Sequence, residues 1–103
     1  MATAIRGHNT NRNGGGWTQQ EILNVWSKGR IMPDQDRNVY RWDKCGQVMQ
    51  YNQHGNRGHD YGWEIDHIHP VSNGGQDIDN NLQPLNWKNN AAKSDKLNWL
   101  CGQ

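Results

Sequence analysis

The stretch WEIDHIHPVSNGGQDIDNNLQPLNWKNNAAKSD, residues 63–95, decides how this chain is read. Trp63, Ile65 and His67 alternate with Glu64 and Asp66, which predicts a strand over 63–67. Pro70 ends it. Residues 72–81 are polar and turn at Gly74-Gly75, so they form a loop. Leu82 to Leu85 makes a short second strand. Asn86 is placed as an N-cap, and the Lys, Ala and Leu content of residues 87–100 predicts a helix from Trp87 to Leu100. The order is strand, loop, strand, helix.

Asp66-His67-Ile68-x-Pro70, Gly74-Gly75, Asn81-Leu82-x-x-Leu85 and Asn90-x-x-Lys93 together resemble the HNH endonuclease family, whose catalytic unit is the ββα-metal fold. One Asp-His pair would carry no weight. Four elements in order, on matching secondary structure, do. They span about a third of the chain. The resemblance implies hydrolysis of DNA phosphodiesters with a divalent cation, leaving 5′-phosphate and 3′-hydroxyl ends. It puts His67 at the general base, Asp66 and Asn90 at metal-ligand positions, and Asn81 at the central Asn that braces the base-bearing loop. Asn90 is preferred to its neighbour Asn89, and Asn81 to Asn80, because of the spacing to Lys93 and Leu82.

Such chemistry needs an activated water and relief of charge on the phosphate and the leaving oxygen. An imidazole serves the first need and one cation the others. A carboxylate and an amide carbonyl are hard oxygen donors, suited to Mg²⁺ or Mn²⁺ with retained waters. Zinc is less favoured, although His67 and His69 share strand parity and an H-x-H pair binds zinc. Glu64 also has the parity of Asp66 and could stand behind the metal ligands, but a solvent-facing strand position is favoured for it. His8, His54 and His59 fall in loops and read as surface residues.

At 103 residues the chain is one small domain. Only 32% is hydrophobic and Phe is absent, so the six Trp are expected to supply much of a small core. Mean hydropathy is −1.17. Net charge is only +1, but its distribution is uneven. Residues 1–59 carry eight Lys/Arg against four Asp/Glu, and residues 60–103 carry three against six. The acidic half holds the candidate cation site. Basic groups for a DNA partner are expected mainly from the first half, with Arg41, Arg57 and also Lys93 as candidate nucleic-acid contacts.

Cys45 and Cys101 form no C-x-x-C pair, which argues against a zinc knuckle and a secreted disulfide scaffold. Two reduced thiols are expected. Many chains of the resembled family carry paired cysteines around this unit; here the second pair would fall near Asn86-Trp87-Lys88-Asn89. No apolar run is long enough for a signal peptide or a membrane helix, so a cytoplasmic, intracellular protein without a membrane partner is expected.

Upstream, residues 1–16 are poor in apolar groups and end in Asn13-Gly14-Gly15-Gly16, which predicts a flexible arm whose Arg6, His8 and Arg12 could touch nucleic acid. Thr18 to Gly29 predicts a helix, with Thr18 and Glu21 as a capping box. Val39 to Trp42 and Gln47 to Tyr51 flank Lys44-Cys45-Gly46 as a hairpin. The expected architecture is α+β. A ββα-metal unit at about 60–100 packs against an N-terminal helix and hairpin within one domain, 17–103. The expected function is a metal-dependent DNA endonuclease. The alternatives are a non-catalytic nucleic-acid-binding module on the same scaffold and a structural zinc-binding interaction domain.

Overall fold

The computed structural model describes residues 6–102, which form an α+β fold of two helices and two small antiparallel sheets. Helix α1 (Gln19–Trp26) starts at Thr18, whose hydroxyl accepts from the Glu21 N–H while the Glu21 carboxylate accepts from the Thr18 N–H. The capping box thus satisfies two otherwise unpaired donors. Regular helix stops at Trp26, short of the expected Gly29. Lys28 and Gly29 instead donate to the carbonyls of Val25 and Trp26, a tightened last turn.

Strands β1 (Arg30–Ile31), β2 (Tyr40–Trp42) and β3 (Val48–Gln50) follow in the order β1–β2–β3. The expected hairpin is β2–β3, with Arg41 opposite Met49. Strands β4 (Trp63–His67) and β5 (Leu82–Asn86) pair with Ile65 opposite Pro84 and His67 opposite Leu82. Pro84 has no N–H to give, and a two-stranded sheet leaves its open side without need of one.

The core joins α1 to both sheets through Val25, Trp26, Met49, Trp63, Ile65 and Leu82. Trp26 and Trp63 meet at a ring separation of 5.2 Å, with Tyr51 closing on both. Trp99 is also buried, so three of the six tryptophans are core residues. Arg41, expected at a nucleic-acid surface, is buried instead. Its guanidinium donates to the carbonyls of Ser27 and Gly29 just past α1 and to that of Arg37 in the loop before β2, satisfying acceptors left free there. Burial and the nearby Arg37 lower its pKa.

Helix α2 (Trp87–Lys93) leaves β5 without a loop, and the Asn86 side chain caps it by accepting from Lys88 N–H. It is seven residues long, not the fourteen expected to Leu100. Ser94 turns the chain with φ of 51°, and the tail folds back to bury Trp99. There Cys101 forms a disulfide with Cys45 in the β2–β3 turn, Cα–Cα 5.5 Å, correcting the expectation of two reduced thiols. The pairing joins residues 56 apart, a distance that no spacing rule anticipates. Asp43, fully buried, fixes the same corner. It accepts from the N–H groups of Cys45, Gln47 and Asn86 and from the Asn89 amide.

The expected free arm is packed in the described part, residues 6–16; residues 1–5 and Gln103 lie outside the described residues. Asn9 accepts from Ile65 N–H at 2.8 Å, and the Trp17 indole donates to the Asn9 carbonyl. Among the described residues no helix is long and apolar enough to cross a membrane.

Candidate active site

Strand β4 is buried along its whole length, because both faces are covered. Trp63 and Ile65 face the core. Glu64 and Asp66, two residues apart, face α2 together, as the period of a strand requires. Glu64 therefore does not face solvent as expected; it is 0% exposed. Arg57 grips it with two hydrogen bonds of 2.8 Å, and the Asn90 amide donates a third, also 2.8 Å. Burial alone would raise the Glu64 carboxyl. The bonds from Arg57 and Asn90, with the charges of Arg57 and His8, outweigh it and hold the group below the usual carboxylate range.

Asp66 has the opposite balance. Its two oxygens accept from Lys93 Nζ at 3.2 Å and Gln83 Nε2 at 2.8 Å. Burial dominates these bonds and pushes its carboxyl up. Lys93 is only 2% exposed and also donates to the His67 carbonyl at 3.1 Å. Its charge is committed to the inside, so the expected phosphate contact from this lysine is replaced by an internal one.

His67 ends β4. Its ring lies against Trp17 at 5.7 Å, and its Nε2 is 2.6 Å from Asp77 Oδ1. The loop that carries Asp77 is pinned to the end of β4 by Asn81. The Asn81 side chain accepts from His69 N–H and donates to the carbonyls of His69 and Gln76, while its own carbonyl accepts from Ile68 N–H. These contacts belong to Asn81, not Asn80. Gly75 makes the closeness possible, since a Cβ there would lie 1.7 Å from the His69 carbonyl oxygen. His69 turns its ring to the Asn73 carbonyl at 2.7 Å and so does not pair with His67.

Asp66, His67 and Asn90 line one open cleft of about 700 Å³, together with Arg57 and with Arg6, His8 and Arg12 of the N-terminal segment. Arg41 does not line it. Of the site neighbours, Asp77 escaped the sequence reading, Arg12 was read only as a nucleic-acid contact on a free arm, and Glu64 was expected to face solvent. Glu64 had a signal in its parity with Asp66. Asp77 had none, and its pairing with Arg12 had none, because the two lie 65 residues apart.

Among the described residues no three His, Cys, Asp or Glu side chains gather as an ion site. The donors that remain are hard ones. Asp66 uses one hydrogen bond per oxygen, and the Asn90 amide nitrogen faces Glu64, which directs its carbonyl oxygen elsewhere. One carboxylate and one carbonyl at an open cleft are hard donors, of the class that suits a divalent cation with retained waters. The ammonium of Lys93 beside Asp66 sets an upper bound on how tightly such an ion is held.

Residues 45–96, half of the chain, match the HNH endonuclease family, and the chain belongs to that family. No curated protein and no solved structure matches it. Membership implies nuclease-type function on a nucleic acid and general use of divalent metals.

Proposed function

We propose that the chain is a metal-dependent endonuclease that hydrolyses DNA phosphodiester bonds. His67 is the general base, and Asp66 and Asn90 hold one divalent cation, Mg²⁺ or Mn²⁺. In this reading β4, β5 and α2 form a ββα-metal unit. The single observation that supports it best is the shared cleft of Asp66, His67 and Asn90. When bound, the cation supplies positive charge to the phosphate and to the leaving oxygen.

The remaining work falls to the chain itself. His67 accepts a proton from water at the floor of the cleft. Lys93 and Gln83 oppose the burial that raises the Asp66 carboxyl, which makes its ionised form less costly than it would be unpaired. Arg57 cancels the charge of Glu64, so the wall beside Asn90 does not repel a phosphate. Arg6 and Arg12 add positive charge at the cleft for the polyanionic substrate. Asn81 holds the loop after His67 in place.

A non-catalytic nucleic-acid-binding module is the competing reading, and the pairing of Asp66 with Lys93 is what favours it. Supercoiled plasmid decides between them. Nicked or linear product is expected with Mg²⁺ or Mn²⁺ and none with chelator. His67→Ala should cut on the order of 10²- to 10⁴-fold more slowly with DNA binding retained. Binding without cutting in either metal, or wild-type rates in His67→Ala, overturns the proposal.

A further inference from the structure

We infer that Asp77 is the positioning residue for His67: it fixes the ring as the Nε2–H tautomer, so that Nδ1 is the nitrogen offered to the cleft. The inference rests on the nuclease reading for its catalytic meaning, but not for its chemistry. An ionised carboxylate only accepts hydrogen bonds. With Asp77 Oδ1 2.6 Å from His67 Nε2, that nitrogen carries the hydrogen, and in the neutral ring the lone pair falls to Nδ1.

The carboxylate is itself held. The backbone N–H of Arg12 donates to both of its oxygens, at 3.1 and 3.2 Å, and the Arg12 guanidinium bonds the neighbouring Gln76 side chain. Residues 6–16 are tied down in turn by Asn9 on Ile65. On the other side, Asn81 fixes the Gln76 carbonyl, one residue from Asp77. The His67 ring has little freedom of its own, with its side chain 3% exposed and packed on Trp17. Asp77 thus reaches His67 from a loop and an N-terminal segment that lock each other. It takes no proton; it sets which ring nitrogen is free and where that nitrogen points, a role long separations can fill because only geometry is required.

The test uses the full chain and two readouts. Long-range ¹⁵N–¹H correlation of the His67 ring should give the Nε2–H pattern in the wild type. Asp77→Asn, whose amide can either donate or accept, should give mixed or reversed tautomers. In steady-state cleavage of a short duplex, Asp77→Asn should lower kcat about 10²-fold with KM within about twofold. Asp77→Glu, which keeps an acceptor, should restore the tautomer and most of kcat. A wild-type ring protonated at Nδ1, or Asp77→Asn with an unchanged tautomer, overturns the inference. So does Asp77→Glu no better than Asp77→Asn when both are folded by circular dichroism. Should the wild type cut no DNA, the nuclease reading fails, and the tautomer of the ring still decides whether Asp77 sets it.

Discussion

Lys93 and Asp66 face each other with side-chain exposures of 2% and 6%, and each is expensive to leave alone. Removing one member of such a pair strands a largely desolvated charge. Lys93→Met should therefore destabilise the fold by about 3–5 kcal/mol. Asp66→Asn combined with Lys93→Met should recover most of the loss, as urea unfolding of the four species would measure. If Lys93→Met alone is neutral, the ammonium is not what satisfies Asp66. Glu64 makes a prediction in pH. It titrates below its ordinary value in the folded chain, so its ionised form contributes stability above the ordinary carboxylate range. That contribution disappears as pH falls through the lowered value. Between about pH 5 and pH 3 the wild-type Tm should fall more steeply than that of Glu64→Gln, which has no charge to lose. Parallel slopes in thermal melts would remove Glu64 as the cause. The same two carboxylates mark how far the sequence could be read at this scale. Asp66 stood out beside His67 in a known pattern. Glu64 did not, because its burial comes from Arg57 and from a helix some 26 residues later.

Helix α2 turns two adjacent asparagines to different neighbours, Asn89 to Asp43 at the hairpin and Asn90 to Glu64 at the cleft, as a step of about 100° per residue requires. The two should separate cleanly on substitution. Asn90→Ala should raise the Mg²⁺ concentration needed for plasmid cleavage and lower the maximal rate. Asn89→Ala should leave the metal titration unchanged and lower stability by about 1–2 kcal/mol, because a buried carboxylate loses a donor. A metal defect in Asn89→Ala would place the ligand one residue earlier. The start of each principal element was legible in the sequence: Thr18 and Glu21 announce α1, the alternation of 63–67 announces β4, and Asn86 announces α2. Where α2 ends was not. Lys96, Leu97 and Leu100 continue past Lys93 as good helix formers, and propensity alone does not mark the stop. The stop is tertiary: Lys93 is drawn inward to Asp66, Ser94 adopts a positive φ, and the tail is needed elsewhere to bury Trp99.

Across the whole molecule, the N-terminal segment and the C-terminal tail both close on the unit that holds the candidate site. Neither closure could be read in advance. A polar, Gly-ended segment looks unstructured until its Asn9 and Arg12 find partners on β4 and the Asp77 loop, and two distant cysteines look independent until the fold sets their Cα atoms 5.5 Å apart. On the chain-entropy model the Cys45–Cys101 closure is worth about 4 kcal/mol. For a chain of this size its loss should lower Tm on the order of 20 °C. Melting Cys45→Ser combined with Cys101→Ser against the wild type checks this, and equal Tm values would mean that the tail docks without the bond. The bond has a second, topological consequence. Residues 45–101 form a covalent ring, and β3, β4, β5, α2 and the loops between them all belong to it. A protease that cuts once anywhere in that ring, for instance in the polar loop at 72–80, severs the backbone without separating the pieces. The nicked protein would keep its full mass in the absence of reductant and fall into two fragments in its presence.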